Sequence, residues 1–154
     1  MERVMITADE VVALAFGGDA YLDKKKISES VIRAAQRKFV RPVLGAVCDM
    51  TTRPYTTFLD EWVKPALAHY VKWLLLPELL VEVGASGVVV RSCEEYVGAG
   101  PEELRLLMQR VRSEADALMD RAVEELDKNP TLYPAYAPNE NVRRRTRIVG
   151  GVVI

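Results

Sequence analysis

Residues 101–129, PEELRLLMQRVRSEADALMDRAVEELDKN, restrict the fold more than any other stretch. Leu104, Leu107, Met108, Val111, Ala115, Leu118, Met119, Ala122 and Leu126 recur at spacings of three and four, which places them on one face of an α-helix. Pro101 suits the first helical position, where its missing N–H is not needed, and Glu102 and Glu103 favour the positive end of the helix dipole. Asn129-Pro130 ends the helix, which at ~1.5 Å per residue is about 40 Å long. A second helix, starting near Thr56 or Thr57 and carrying FLDEWVKPALAHYVKWLLLPELLVEV, is apolar nearly all round from Ala66 to Leu80. That is the pattern of the central, most buried helix. Pro65 and Pro77 predict two bends in it. Lys72, Glu78, Glu82 and the two prolines mark it as core, with no membrane span expected.

Upstream, ITADEVVALAF (6–16) opens on Thr7 with Glu10 three residues on, a capping box. Val11, Leu14 and Ala15 form its apolar face, and Gly17-Gly18 stops it. Another helix begins near Asp23 or Ser28 and runs through ESVIRAAQRKFVRPVLG, with Val31, Ala34, Ala35, Lys38 and Phe39 at helical spacing. Arg33, Arg37 and Arg41 recur every four residues and line a different stripe. Pro42 removes an N–H and predicts a kink or a restart, and Gly45 with CDMTTRPYT marks a loop. Val88-Val89-Val90, between Gly87 and Arg91, predicts a short strand or extended segment. The expected fold class is mostly α: a small helical bundle with an extended or β insertion over about 84–98 and an extended C-terminal arm. The expected division is a helical domain at 1–130 and the arm at 131–154.

The chain of 154 residues carries a net charge of −1, but that charge is polarised: residues 1–56 sum to +2, 57–100 to −3, 101–130 to −3 and 131–154 to +3. Such polarity suits head-to-tail packing of copies, a solvated surface being the plainer account. Cys48 and Cys93 form no CxxC pair and His69 is the single histidine, so no metal cluster is expected. The thiols read as reduced or simply buried, and no signal-peptide succession opens the chain. His69 would need an aligned base or nucleophile to act in catalysis; without one it reads as a satisfied, half-buried histidine. Glu94-Glu95, Glu102-Glu103 and Glu124-Glu125 have no matching partners, and no nucleotide-binding or nucleophile-elbow motif occurs. No enzyme activity and no cofactor are expected. Trp62, Tyr70 and Trp73 read as core packing in preference to a stacking platform. The Arg33, Arg37, Arg41 stripe, with Lys24 to Lys26 upstream, suits a solvated face or a contact with the acidic surface of another copy; phosphate contacts in a small nucleic-acid-binding module are the alternative.

The last residues, NVRRRTRIVGGVVI, pose a separate problem. RIVGGVVI favours a strand but is too short to be stable alone, and left exposed it is an aggregation hazard. Added to a sheet edge of another protein, its backbone supplies affinity and its alternate side chains specificity. Arg143, Arg144, Arg145 and Arg147 would then pair with acids beside that edge, and Ile148, Val149, Val152, Val153 and Ile154 would fill it. A disordered or back-folded terminus is the plain alternative.

VIRAAQRKFVRPVLG (31–45), ALAHYVKWLLLPELLVEVGASGVVV (66–90) and the long helix ending LDKNPTLYP (126–134) together resemble phage head–tail connector proteins, the adaptors that form a ring beneath the portal. The likeness is to connector-like proteins of Bacteroidetes phages. It covers most of residues 6–134, and each of its motifs is structural. The resemblance implies a helical subunit, usually twelve to a ring, between portal and tail or stopper proteins. It implies DNA passing through the channel without being read, assembly in the host cytoplasm, and residence in the virion neck. C-termini of such adaptors extend onto the portal, which makes the portal the implied partner of the arm. The bending prolines and the valine-rich end depart from that pattern.

Overall fold

The computed structural model describes residues 2–18, 22–84, 87–90, 101–144, 148–149 and 152–153, by backbone alone at 80–84, 87–90, 148–149 and 152–153. Thr7 starts the first helix, α1 (Ala8–Ala15), as its spacing predicts. The Thr7 hydroxyl accepts from the Glu10 amide at 3.2 Å, and the Glu10 carboxylate accepts from the Thr7 amide at 2.9 Å. Gly17 (φ +63°) and Gly18 (φ +72°) take the left-handed conformation that closes the helix. The buried face is Val11, Val12 and Ala15; Leu14, expected inside, is 41% exposed.

Ser28 caps α2 (Glu29–Ala35) through the Val31 amide, and the helix continues through a π turn (Gln36–Val40) into α3 (Arg41–Leu44). The device recurs in the central helix: α4 (Tyr55–Phe58) passes through a π turn (Leu59–Val63) into α5 (Lys64–Leu80). In both, the N–H just before a proline reaches back five residues, Arg41 to the Gln36 carbonyl and Lys64 to the Leu59 carbonyl. Pro42 and Pro65 cannot donate, and in a regular helix their rings would strike the carbonyl four residues back. The wider turn accommodates both without ending the helix, so the restart predicted at Pro42 and the bend at Pro65 take the form of π turns. Pro77 lies inside α5.

The core face of the second helix differs from the expected one from its first turn onward. Ile32, Ala35, Gln36, Phe39, Val40 and Val43 are buried, whereas Ala34 and Lys38, expected on that face, are exposed. Gln36 is admitted because both ends of its amide are used. Its Oε1 accepts from the Met5 amide at 2.8 Å and its Nε2 donates to the Arg3 carbonyl at 2.9 Å, which ties the N-terminal segment to the bundle.

Ala66, Leu67, Ala68, Val71 and Leu75 of α5 are fully buried, and α5 packs against α1, α2 and α6 (Pro101–Lys128). On α6 the buried stripe is Val111, Ala115, Met119, Ala122 and Leu126, the inner part of the predicted set. Between α5 and α6 the backbone pairs antiparallel, Val81–Gly84 with Gly87–Val90. The protein is mostly α, with four helices among the described residues: α1, the α2–α3 stretch, the α4–α5 stretch and α6.

Residues 131–144, expected to open the extended arm, instead return to the bundle. Tyr133 packs against Tyr55 and Phe58 with ring centroids 5.7 and 5.2 Å away, and the Tyr55 hydroxyl accepts from the Ala135 amide at 2.9 Å. Tyr133, Tyr136 and Asn141 are buried. No α-helix forms here, as the number of prolines predicts; the chain makes short 3-10 turns at Pro138–Glu140 and Val142–Arg144, and its tyrosines are free to pack.

Candidate interaction site

The solvent-facing side of α6 carries the acids that hold the returning segment. Asn141 anchors it: its Nδ2 donates to the Tyr136 hydroxyl at 2.9 Å, and its Oδ1 accepts from the Arg143 amide at 2.9 Å. Beyond that anchor the guanidinium of Arg143 lies 3.2 Å from Asp120 and 3.5 Å from Asp116, and also donates to the Asp116 main-chain carbonyl at 3.4 Å. Arg144 pairs with Asp127.

Asp116 is the hub of this face. Its Oδ1 accepts from the Tyr70 hydroxyl at 2.5 Å, and Arg112, one turn back, places Nε 3.3 Å from the same carboxylate. Burial, and then the hydrogen bond to Asp116, push the Tyr70 phenol well above its ordinary pKa, so it stays a donor. The Arg112 guanidinium lies 4.6 Å from the Phe39 ring centroid, 5.4 Å from Trp73 and 5.7 Å from Tyr70. Phe39 and Tyr70 stack at 4.3 Å with an interplanar angle of 8°, and Trp73 meets Phe39 edge-on at 5.8 Å. Of the expected aromatic core, Tyr70 is buried, and Trp62 and Trp73 are partly covered. Beside this cluster an apolar groove of about 620 Å³ runs along the start of α6, past Trp73, Leu104 and Met108.

The arginine stripe is brought to one surface, with its charges already met. Arg33 pairs with Glu29 at 3.1 Å, Arg37 with Glu2 at 2.6 Å, and Arg41 with both Glu2 and Asp49, the latter at 2.7 Å. Glu2 and Asp49 could not be matched to the stripe by spacing, since Glu2 lies 35 and 39 residues from its two partners. The hydrogen bond from Arg37, with help from Arg41, holds the Glu2 carboxyl below the ordinary carboxylate range, and Arg41 does the same for Asp49. At Glu10 burial pulls upward, but hydrogen bonds from Lys64 and Thr7 together outweigh it and the pKa is lowered. For all three the folded pKa lies below the unfolded one, so their stabilisation is complete above the unfolded values, about 4 to 4.5, and is lost as pH falls through the folded ones. Urea midpoints are therefore expected to fall below about pH 4.5. The Glu2→Gln variant, whose side chain no longer titrates, should show a shallower fall; an identical fall would remove Glu2 from the account.

His69 Nδ1 donates to the Pro65 carbonyl at 2.7 Å, within its own helix. Cys48 is buried, which pushes its thiol pKa up to about 12 and keeps it protonated. Among the described residues no group of three metal-ligating side chains occurs, and no helix is long and apolar enough to cross a membrane. Of the tail residues read as a docking arm, Arg143 and Arg144 are held on α6, and Arg145, Arg147 and Ile154 lie outside the described residues. The backbone of Ile148 and Val149 pairs antiparallel with Val153 and Val152, so the apolar run is paired within itself and not drawn out as a single strand.

A family model described as "Family of unknown function (DUF6712)" matches residues 21–146. No curated protein and no solved structure matches the chain.

Proposed function

We propose that this chain, which belongs to the DUF6712 family of unknown function, is a structural subunit of a phage neck: a head–tail connector that forms a ring between portal and tail. The observation that carries the reading is the change in the chain at Asn141. Burial holds the chain as far as Asn141, and past it come four arginines and a β-branched apolar run. Two residue pairs make the ladder between Ile148–Val149 and Val152–Val153. A ladder that small is not stable alone in water, and its outer edges suit a strand or sheet edge on another chain. The portal is the partner assigned to it, with Arg145 and Arg147 meeting portal carboxylates. The likeness of residues 31–45, 66–90 and 126–134 to portal adaptors supports the same reading.

In a ring, an acidic side of one copy would face a basic side of the next, and the inserted segment at about 84–98 would reach the portal, the tail or a neighbouring copy. A role in binding nucleic acid through Arg33, Arg37 and Arg41 is disfavoured by the carboxylates that already meet each of them. DNA would pass the ring unread. Contacts between copies become effective at the high local concentration that a portal imposes. Electron micrographs of the purified protein are expected to show single subunits, and mixtures with portal to show rings seated on it. Portal particles that remain bare at saturating subunit would reject the connector role.

A further inference from the structure

We propose that Val142–Arg144 is a latch: a weakly held, charge-paired segment that keeps the root of the arm on the chain's own α6 until carboxylates of a partner surface take over Arg143 and Arg144. It rests on the reading of the tail as a docking arm. The first observation is an abrupt change in how the chain is held. Asn141 is 0% exposed and bonded on both sides of its amide, whereas the next residue, Val142, is 44% exposed. From there the side chains that tie the segment to α6 are arginines on its solvent side.

The second observation is the kind of bond involved. Asp120 has a side chain 62% exposed and pairs with Arg143; Asp127 pairs with Arg144. Neither aspartate is bonded to any other described side chain, so both are spare to the helix itself. The Arg143 and Asp127 side chains are 28% and 27% exposed and that of Arg144 46%, so each pair is open to water on one side, and ion pairs at such a surface contribute little each and are screened by salt. Carboxylates on a partner can replace them one for one, and no charge is stranded in a buried place when they do. Asp116 differs, because Tyr70 and Arg112 also use it, and it stays satisfied after Arg143 leaves. The third observation is what the latch lies over: a cavity of about 160 Å³ between Val142, Arg143 and an apolar floor of Phe39, Pro42, Val43 and Tyr70. Lifting the segment frees the arm at its root and opens that floor together. The partner this fits is an acidic surface able to offer at least two carboxylates to neighbouring guanidiniums.

The test uses the full chain and the Asp120→Asn/Asp127→Asn variant, which leaves Asp116 untouched. Native trypsin cleavage after Arg143 and Arg144, resolved by mass, reports opening. The variant is expected to be cut about tenfold faster than the wild type, and the wild type to speed up with salt while the variant responds less. Portal should bind the variant about tenfold more tightly, because α6 then competes for Arg143 through Asp116 alone and has lost its carboxylate for Arg144. Cleavage indifferent to both neutralisation and salt would overturn the latch whatever the arm binds. Faster cleavage with unchanged or weaker portal binding would overturn the competition. Should wild type and variant alike fail to bind portal, the docking reading fails, and with it the exchange of partners, even if cleavage responds.

Discussion

Replacing Met119 with alanine is expected to lower the unfolding free energy by about 2–5 kcal/mol. Met119 sits mid-way along α6, is 0% exposed, and is among the largest fully buried side chains. Its neighbours on the same stripe, Ala115 and Ala122, are already small, so the helix has no adjacent side chain that can swing in to fill the void. The cost is therefore transfer of the lost atoms plus a cavity that relaxes little. Urea or guanidinium denaturation measures it, with the denaturant slope unchanged. Leu106 on the same helix is 52% exposed, and its replacement by alanine should stay within about 0.5 kcal/mol. If the two substitutions cost the same, the face assigned to α6 is wrong.

Tyr133→Ala should be comparably severe, about 3–5 kcal/mol, although the residue lies in a proline-rich stretch with no regular structure. Its ring fills the space against Tyr55 and Phe58, and the next turn of chain is fixed by the Tyr55 hydroxyl through the Ala135 amide. Losing the ring removes a large apolar contact and loosens the segment that ends at Asn141. The same denaturation experiment reads the stability. A cost near zero would mean that residues 131–141 are an appendage, and that the arm starts where the sequence alone suggested, just after α6.

These two positions show what was legible in the sequence and what was not. Met119 was readable because helical spacing is a local property: three-and-four periodicity, Pro101 at the start and Asn129-Pro130 at the end are enough to place α6 and its stripe. The capping box at Thr7 and Glu10 was readable for the same reason. Tyr133 was not, because three prolines say only that a helix is excluded; which side chains the irregular chain then buries depends on the distant Tyr55 and Phe58. Gln36 was hidden by its polarity, since the two backbone groups that satisfy it belong to residues 3 and 5. The arginine stripe was visible, but its partners were not: Glu2 and Asp49 meet it only after folding. The face of the second helix is displaced by about one position from the expected one: Ala35 and Phe39 are shared, but the buried stripe runs on through Ile32, Gln36 and Val40, and the polarity of Gln36 hides it from an apolar pattern. Arg143 and Arg144 were grouped with the arm on charge alone, whereas the acids of α6 claim them in the folded chain.

The reading of function depends on the residues beyond this clasp. The most direct measurement is the affinity of portal for the intact chain and for a chain lacking residues 145–154, which keeps α6, the Arg143 and Arg144 ion pairs and every buried side chain among the described residues. The truncated protein should show the same circular dichroism and the same urea midpoint, and should have lost detectable portal binding. A truncated protein that docks as tightly as the intact one would contradict the account, since the connector would then be held by its helical body and not by its arm.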